Sequence, residues 1–219
     1  MSTRSCTEEV LRRIPNLKKL GIRIELPLDV VEPSCGFDHL IYLYHLESFN
    51  CSVVNPSPRL QVLGRSPPIP ILQSGLRKLT LSRPGFPWDY MNNIAYLPSL
   101  EVLKLQCYAF RGPEWETFEG GFLQLRFLLI EDTDLEYWIV DHTHFPCLQR
   151  IYIHHCYKLK EIPLDIGEIT ALEMVEIVDG SPSLVTSAKQ LLEEQQSLGN
   201  DYLQVCVKYS SEDDRKTKS

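Results

Sequence analysis

The stretch LPSLEVLKLQCYAF, residues 97–110, has an apolar period that suits neither a helix nor a plain strand. Its leucines fall at positions 97, 100, 103 and 105, so the steps are three, three and two. A helix would alternate steps of three and four, and a strand would keep steps of two. The stretch therefore calls for a short strand that is entered through a turn.

The same LxxLxL spacing recurs along the chain, with copies that begin at residues 17, 46, 76, 100, 125, 148 and 172. The copy at 46–51, LESFNC, is degenerate. Repeats of 20–30 residues with this spacing are the signature of leucine-rich repeats. We therefore predict an α/β fold, a curved leucine-rich-repeat solenoid. Parallel strands should line its concave face, and short helices or irregular loops its convex face.

One repeat cannot bury its apolar residues alone, and this need for neighbours explains the domain organisation. In each copy the last two apolar residues lie two apart, so both point inward from one strand. Stacking strands about 4.8 Å apart joins these pairs into one core. We predict a single repeat domain over residues 1–208, with about seven repeats, and a disordered tail at 209–219.

The two ends of the predicted domain differ. Ser181-Pro182 is a helix start, Gly199-Asn200 a helix stop, and Leu203, Val205 and Val207 alternate as in a strand. We interpret residues 181–208 as a C-terminal cap of helix and strand. At the N-terminus a short helix from Thr7 to Arg13 would cover only part of the first strand, whose edge is expected to remain open to pairing.

Three segments between the copies are predicted to lie on the outer side. The proline-rich residues 53–75 are interpreted as an extended loop. Residues 84–98, PGFPWDYMNNIAYLP, form another crossover whose aromatic side chains pack the convex wall. Residues 115–121, WETFEGG, are interpreted as a polar outer turn.

Composition limits the function classes. The formal charge of −7 argues against general nucleic-acid binding. The N-terminus lacks the apolar core of a signal peptide, and no apolar run is long enough to span a membrane. The seven cysteines are odd in number and include no CxxC pair, as expected for reduced thiols in a cytoplasmic protein.

Two clusters could be mistaken for chemical sites. Residues His142, His144, Cys147, His154, His155 and Cys156 suggest zinc, but the repeat register points Cys156 inward and His154 toward the concave face. The segment EDTDLE, 131–136, lacks the glycine and terminal glutamate of a calcium loop and is interpreted as a solvated turn. No nucleotide-binding or hydrolase motif occurs. We predict no catalysis, no metal and no cofactor.

Function is therefore expected on the concave surface, whose side chains flank each inward pair. Its N-terminal part is basic, and apolar residues and glutamates follow toward the C-terminus. Aromatic residues and arginine are common anchors of protein interfaces. The predicted protein-binding residues are Lys19, Arg23, Lys78, Lys104, Phe127, Leu129, Glu131, Arg150, Tyr152, His154, Met174 and Glu176. Of these, Phe127, Leu129 and Tyr152 are expected to be exposed.

The repeat segments resemble a known family over nearly the whole chain. IPNLKKLGIRIE, the run from SGLRKLTL to RGPEWE, GGFLQLRFLLIEDTDLEYW and HCYKLKEIP are similar to the C-terminal repeats of plant disease-resistance receptors. They most resemble the coiled-coil class of the nightshades, typified by the late blight resistance proteins. Residues 187–205, SAKQLLEEQQSLGNDYLQV, resemble the ending of those proteins.

This resemblance implies a role in an intracellular immune receptor. In the family, the repeats restrain a nucleotide-binding switch domain and help to detect pathogen effectors. The implied partners are that switch domain and an effector or a guarded host protein. The implied ADP or ATP would bind in a domain that this sequence lacks, which indicates a fragment or a truncated product. The basic residues Lys19, Arg23, Lys78 and Lys104 could face an acidic surface of the switch domain.

Two other classes of protein remain open. A substrate adaptor of the F-box type uses similar repeats, but the segment before Leu17 is too short for an F-box. An enzyme would need a convergent acid, base or metal cluster on one face, which the repeat register does not supply.

Overall fold

The computed structural model describes residues 8–25, 37–54 and 75–210, and twelve strands are defined within them. The strands are β1 (Lys19–Glu25), β2 (Ser48–Val54), β3 (Lys78–Ser82), β4 (Phe86–Pro87), β5 (Val102–Gln106), β6 (Phe110–Arg111), β7 (Glu114–Glu116), β8 (Phe127–Glu131), β9 (Tyr137–Ile139), β10 (Arg150–His154), β11 (Met174–Val178) and β12 (Gln204–Lys208). Eight of them form one parallel sheet in the order β1-β2-β3-β5-β8-β10-β11-β12. The large sheet follows chain order, so successive repeats are neighbours.

The helical elements lie before β1 and in the connections between the strands. They are α1 (Glu8–Arg12), which precedes β1, α2 (Met91–Ala95), α3 (Pro182–Ser197), and 3-10 turns at Phe37–Tyr42, Trp88–Tyr90, His142–His144 and Leu164–Glu168. The predicted helix start after Ser181 is confirmed, because the Ser181 hydroxyl accepts a hydrogen bond from the Leu184 amide at 3.1 Å. The helix stops before Gly199, whose φ of 83° is the left-handed conformation of a C-terminal cap. Of the predicted N-terminal helix, residues 8–12 are helical and Thr7 lies outside the described residues.

Strand register matches the repeat spacing. Leu79, Leu103 and Leu128 are direct neighbours across β3, β5 and β8, and all three are completely buried. The alternate residues of each strand point to the other face. In β1, for example, exposed and buried side chains alternate along the whole strand. Seven LxxLxL copies thus each supply a strand, and their inward residues belong to one continuous core.

The turn that follows each strand has a repeated backbone shape. The residue directly after β3, β5, β8, β10 and β11 has a positive φ between 50° and 66°. These residues are Arg83, Cys107, Asp132, His155 and Asp179. Each donates its backbone N–H to the last carbonyl of the next strand, at 2.8–3.2 Å. A hydrogen bond to the neighbouring repeat therefore accompanies a conformation that non-glycine residues rarely adopt.

The interpretation of residues 115–121 as a polar turn was wrong. Trp115 belongs to β7, which pairs with β9, and its side chain is 1% exposed. Its ring stacks between those of Trp88 and Trp138, at centroid distances of 5.0 and 5.4 Å. The flanking Glu114 and Glu116 are exposed. The tryptophan column belongs to the same core as the inward residues of the large sheet. Of the aromatic residues in 84–98 that were predicted to pack there, Phe86, Trp88 and Tyr90 are buried, whereas Tyr96 is 66% exposed.

Two predicted boundaries can be compared with the structure only in part. Of the loop predicted for residues 53–75, Val53 and Val54 belong to β2 instead, and residues 55–74 lie outside the described residues. Of the predicted tail, residues 211–219 also lie outside them. Ser210 is held, since its N–H and hydroxyl both donate to the carboxylate of Asp179. No helix within the described ranges has the length and apolarity needed to cross a membrane.

Candidate functional site

The candidate site is the face of the large sheet that points away from the core, called here the exposed face. It consists of the alternate side chains of the eight strands, from Lys19 on β1 to Lys208 on β12. All twelve residues predicted to bind a protein lie on it, because each alternates with buried neighbours in its own strand. Nine of them lie on the neighbouring strands β5, β8, β10 and β11, while Lys19 and Arg23 on β1 are separated from β8 by three strands.

An aromatic pair forms the centre of the exposed face. The rings of Phe127 and Tyr152 stack at a centroid distance of 4.9 Å across β8 and β10. The Lys104 ammonium lies 5.3 Å from the Phe127 centroid, within range of a cation–π interaction. The Tyr152 hydroxyl donates to the Met174 sulfur at 3.5 Å. This centre, Lys104, Phe127, Tyr152 and Met174, presents half-buried aromatic surface with a positive edge.

A charged network borders this centre on the C-terminal side. Glu176 accepts from Lys208 Nζ at 2.6 Å and lies 3.2 Å from His154 Nε2. Burial raises the pKa of Glu176, but the hydrogen bonds and charges of Lys208 and His154 outweigh it, so the pKa ends below its ordinary value. The hydrogen bond to Glu176 likewise raises the pKa of Lys208. The three side chains therefore form one hydrogen-bonded network beside the Tyr152 ring.

The expected exposure of Leu129 was wrong. Only 8% of Leu129 is exposed, although its side chain belongs to the exposed face. In the strand register it lies between Lys104 on β5 and Tyr152 on β10, two long side chains that can lean over a shorter one. Leu129 therefore serves as packing beneath the site, and the accessible apolar surface comes from its aromatic neighbours.

The exposed face has a charge opposite to that of the whole chain. Its strand residues include six basic and three acidic side chains, a net charge of +3 against −7 for the full sequence. The basic ones are Lys19, Arg23, Lys78, Lys104, Arg150 and Lys208, and the acidic ones are Glu25, Glu131 and Glu176. Within the described ranges, no carboxylate lies within salt-bridge distance of Lys19, Lys78 or Lys104. These three ammonium groups are available to an acidic partner.

The side chains that suggested zinc are distributed over different surroundings. His144 Nδ1 lies 2.8 Å from the Thr117 hydroxyl, and His155 Nδ1 lies 3.3 Å from Asp179. Cys156 is fully buried, and burial raises its pKa to about 12. Across residues 8–25, 37–54 and 75–210, no three histidine, cysteine or carboxylate side chains are grouped so that they could hold a metal.

The segment at 131–136 is also less solvated than predicted. Leu135 is fully buried, and Thr133 is 9% exposed. Asp134 accepts a hydrogen bond from the Gly112 amide at 3.2 Å, which ties this turn to the preceding repeat. The acidic side chains here join two repeats and do not converge on a common point.

The list of predicted binding residues leaves out two side chains of the exposed face. Lys208 completes the network at Glu176, and Gln106 donates to Glu131 at 2.6 Å. Both occupy the outward positions of their strands, so the alternation in QVCVK and VLKLQ carried the necessary signal. The alternation within a strand does not show which residue on the neighbouring strand each side chain pairs with.

Comparison with known proteins gives relatives described as putative late blight resistance protein homologues. The chain is 33% identical over 199 residues to one putative late blight resistance protein homologue of Solanum demissum, covering 86% of this chain and 14% of the relative. A second such homologue is 32% identical over 190 residues, covering 86% and 16%, and a third is 32% identical over 192 residues, covering 86% and 23%. The chain thus spans less than a quarter of the length of each of these relatives. No protein-family model matches it.

Proposed function

Because the chain is a relative of the late blight resistance protein homologues of Solanum demissum, we propose that it acts in plant disease resistance as the protein-interaction part of an immune receptor. The observation that carries this proposal is the exposed face: net-positive, centred on the Phe127–Tyr152 pair, and found in a chain that aligns with those relatives over 86% of its length. In this proposal the repeats form a leucine-rich-repeat solenoid in the cytoplasm, with the exposed face on its concave side.

The exposed face offers two kinds of contact, and we assign them to two partners. The basic group of Lys19, Arg23, Lys78 and Lys104 faces an acidic surface of the nucleotide-binding switch domain. Each such contact is modest and screened by salt, so several together form a restraint that a competing ligand can release. The aromatic centre at Phe127 and Tyr152 takes a pathogen effector or a guarded host protein, since aromatic side chains are common interface anchors.

The restraint is tested in a chimeric receptor. The chain replaces the aligned segment of one of its Solanum demissum relatives, and the four basic residues of the group are changed together to glutamate. The matched control reverses four basic residues outside the exposed face: Arg111, Lys158, Lys160 and Lys189. Both variants change the net charge by the same amount, so a difference between them reports the position of the charge.

Loss of restraint should appear as cell death in leaves without any pathogen. We expect it for the variant with the four reversed charges on the exposed face, called here the face variant, and not for the control. Protein accumulation is measured in parallel to exclude degradation. A face variant that accumulates normally, stays silent and still answers the effector would refute docking through this basic group.

A further inference from the structure

The last strand of the large sheet is less completely covered than the strands before it. The inward residues Val175 and Ile177 of β11 are completely buried, whereas Val205 and Val207 of β12 are only partly buried. Among residues 8–25, 37–54 and 75–210, no strand pairs with the outer edge of β12. At this end of the sheet the apolar side chains are therefore only partly covered, and the outward backbone groups of β12 have no partner strand among the described residues.

The hydrogen bonds to β11 show which backbone groups face outward. The Gln204 amide donates to the Glu173 carbonyl at 2.9 Å, and the Lys208 carbonyl accepts from the Asp179 amide at 3.1 Å. In a parallel pair, alternate residues direct both backbone groups to the same neighbour. Gln204, Cys206 and Lys208 therefore face β11, and Val205 and Val207 direct their N–H and C=O groups to the free edge.

The segments before and after β12 along the chain carry exposed apolar side chains. Tyr202, directly before the strand region, is 87% exposed, Tyr209, directly after β12, is 72% exposed, and Leu198 is 73% exposed. They are the three most exposed large hydrophobic side chains of the described residues, and all lie within the last thirteen of them. Apolar exposure concentrated beside an open strand edge is typical of a surface that binds another chain.

We propose that β12 pairs with β12 of a second copy of this chain, antiparallel and about a two-fold axis at Cys206. This register places Val205 of each copy opposite Val207 of the other, which pairs all four outward N–H groups with carbonyls. It places Gln204 opposite Lys208, so no two charges of the same sign meet. Tyr209 of each copy then lies beside Leu203 of the other, and part of the exposed apolar surface is covered.

Charge disfavours the alternative in which the second copy continues the parallel sheet with its β1. In the register that the eight strands share, in which Gln204 corresponds to Lys19, Lys208 would lie beside Arg23, and like charges on neighbouring strands repel. That contact would also join different surfaces and could extend without closing, whereas the two-fold contact closes at two copies.

The register gives a direct chemical signature. Because Cys206 faces β11, the two Cys206 residues form a non-hydrogen-bonded pair, with Cα atoms about 4.5 Å apart. This lies within the range of a disulfide. In an oxidative crosslinking assay the two thiols would lose two protons and two electrons to diamide and form one S–S bond between the copies.

Sedimentation equilibrium of the full chain under reducing conditions tests the proposal. We expect a monomer–dimer equilibrium, and a Cys206–Cys206 crosslink after diamide treatment. Val207→Pro removes an outward N–H, which an edge strand tolerates, and should raise the dimer Kd by about tenfold or more, while Val207→Thr keeps the N–H and should not. Cys206→Lys places two ammonium groups opposite each other and should also abolish the dimer, while its side chain stays next to Glu176 within each monomer.

A chain that remains monomeric at all concentrations would overturn the proposal. So would a dimer that survives both Val207→Pro and Cys206→Lys, or assemblies that grow beyond two copies. If Val207→Pro fails to fold, the proposal is tested by the dimer Kd of Cys206→Lys alone. This substitution lies on the exposed face, so it does not disturb the core of the monomer.

Discussion

Replacing Trp115 by alanine should destabilise the protein strongly, because the column of three tryptophans forms part of the core. Trp115 is 1% exposed and lies between Trp88 and Trp138, with Phe122 and Phe145 each 6.2 Å away at its edges. A buried tryptophan removes roughly 200 Å² from water. At about 25 cal/mol per Å² this corresponds to about 5 kcal/mol, of which alanine retains a part.

We therefore expect Trp115→Ala to lower the free energy of unfolding by about 4 kcal/mol, within the usual range for such truncations. Urea denaturation followed by circular dichroism measures this change as a large shift of the midpoint. The matched control is Tyr137→Ala on the paired strand β9, where the side chain is 50% exposed and the cost should stay below about 1 kcal/mol. Equal midpoints for the two variants would refute the tryptophan column and favour the polar turn that the sequence suggested.

Three further predictions follow from the same contacts. Leu103→Asp should cost more than about 4 kcal/mol in urea denaturation, since it buries an unpaired charge in the shared core, and an unchanged midpoint would mean that the strand register is wrong. Trp88→Phe should lower the free energy of unfolding by about 1 kcal/mol more than Trp138→Phe does. The reason is that Trp88 Nε1 donates to the Gly112 carbonyl at 3.0 Å, whereas Trp138 Nε1 has no partner among the described residues. The reverse order in urea denaturation would contradict these contacts. The pKa of Glu176 lies below its ordinary 4.5 in the folded protein, so Glu176 stabilises the fold above about pH 4.5, and this stabilisation is lost as the pH falls through the folded-state pKa. In Glu176→Gln the free energy of unfolding should therefore decrease less steeply as the pH is lowered below about 4.5. An unchanged pH dependence would exclude this role of Glu176.

The leucine spacing predicted the large sheet because that spacing is itself imposed by the shared core. Every inward pair, from Leu20 and Ile22 to Val175 and Ile177, is buried as expected. The helix after Ser181 was equally predictable, since a capping hydroxyl and a following proline are local signals.

The tryptophan column could not be predicted in the same way. Its strands β7 and β9 are only three residues long, Trp88 lies in a 3-10 turn, and Trp115 is flanked by two exposed glutamates that resemble a turn. The available signal was the spacing of the tryptophans at 88, 115 and 138, which follows the repeat length. The turns after the strands gave an uneven signal, because Asp132, His155 and Asp179 are residue types enriched at positive φ, whereas Arg83 and Cys107 are not.

For the candidate site, the sequence predicted which residues share a face but not how they pair. Alternation placed Phe127 and Tyr152 on the same side, and the structure adds that their rings stack. The burial of Leu129 depends on the lengths of its cross-strand neighbours, which a pattern within one strand cannot reveal.

The most direct measurement of the proposed role is binding between the purified chain and the remaining part of a Solanum demissum relative, which would contain the proposed nucleotide-binding switch domain. Isothermal titration at increasing salt is performed with the natural chain, the variant with Lys19, Arg23, Lys78 and Lys104 changed to glutamate, and the control with four reversals outside the exposed face. We predict binding that weakens as salt rises, that is lost in the face variant and that persists in the control. Absence of binding by the natural chain, or binding that the face variant retains, would contradict the role proposed for this surface.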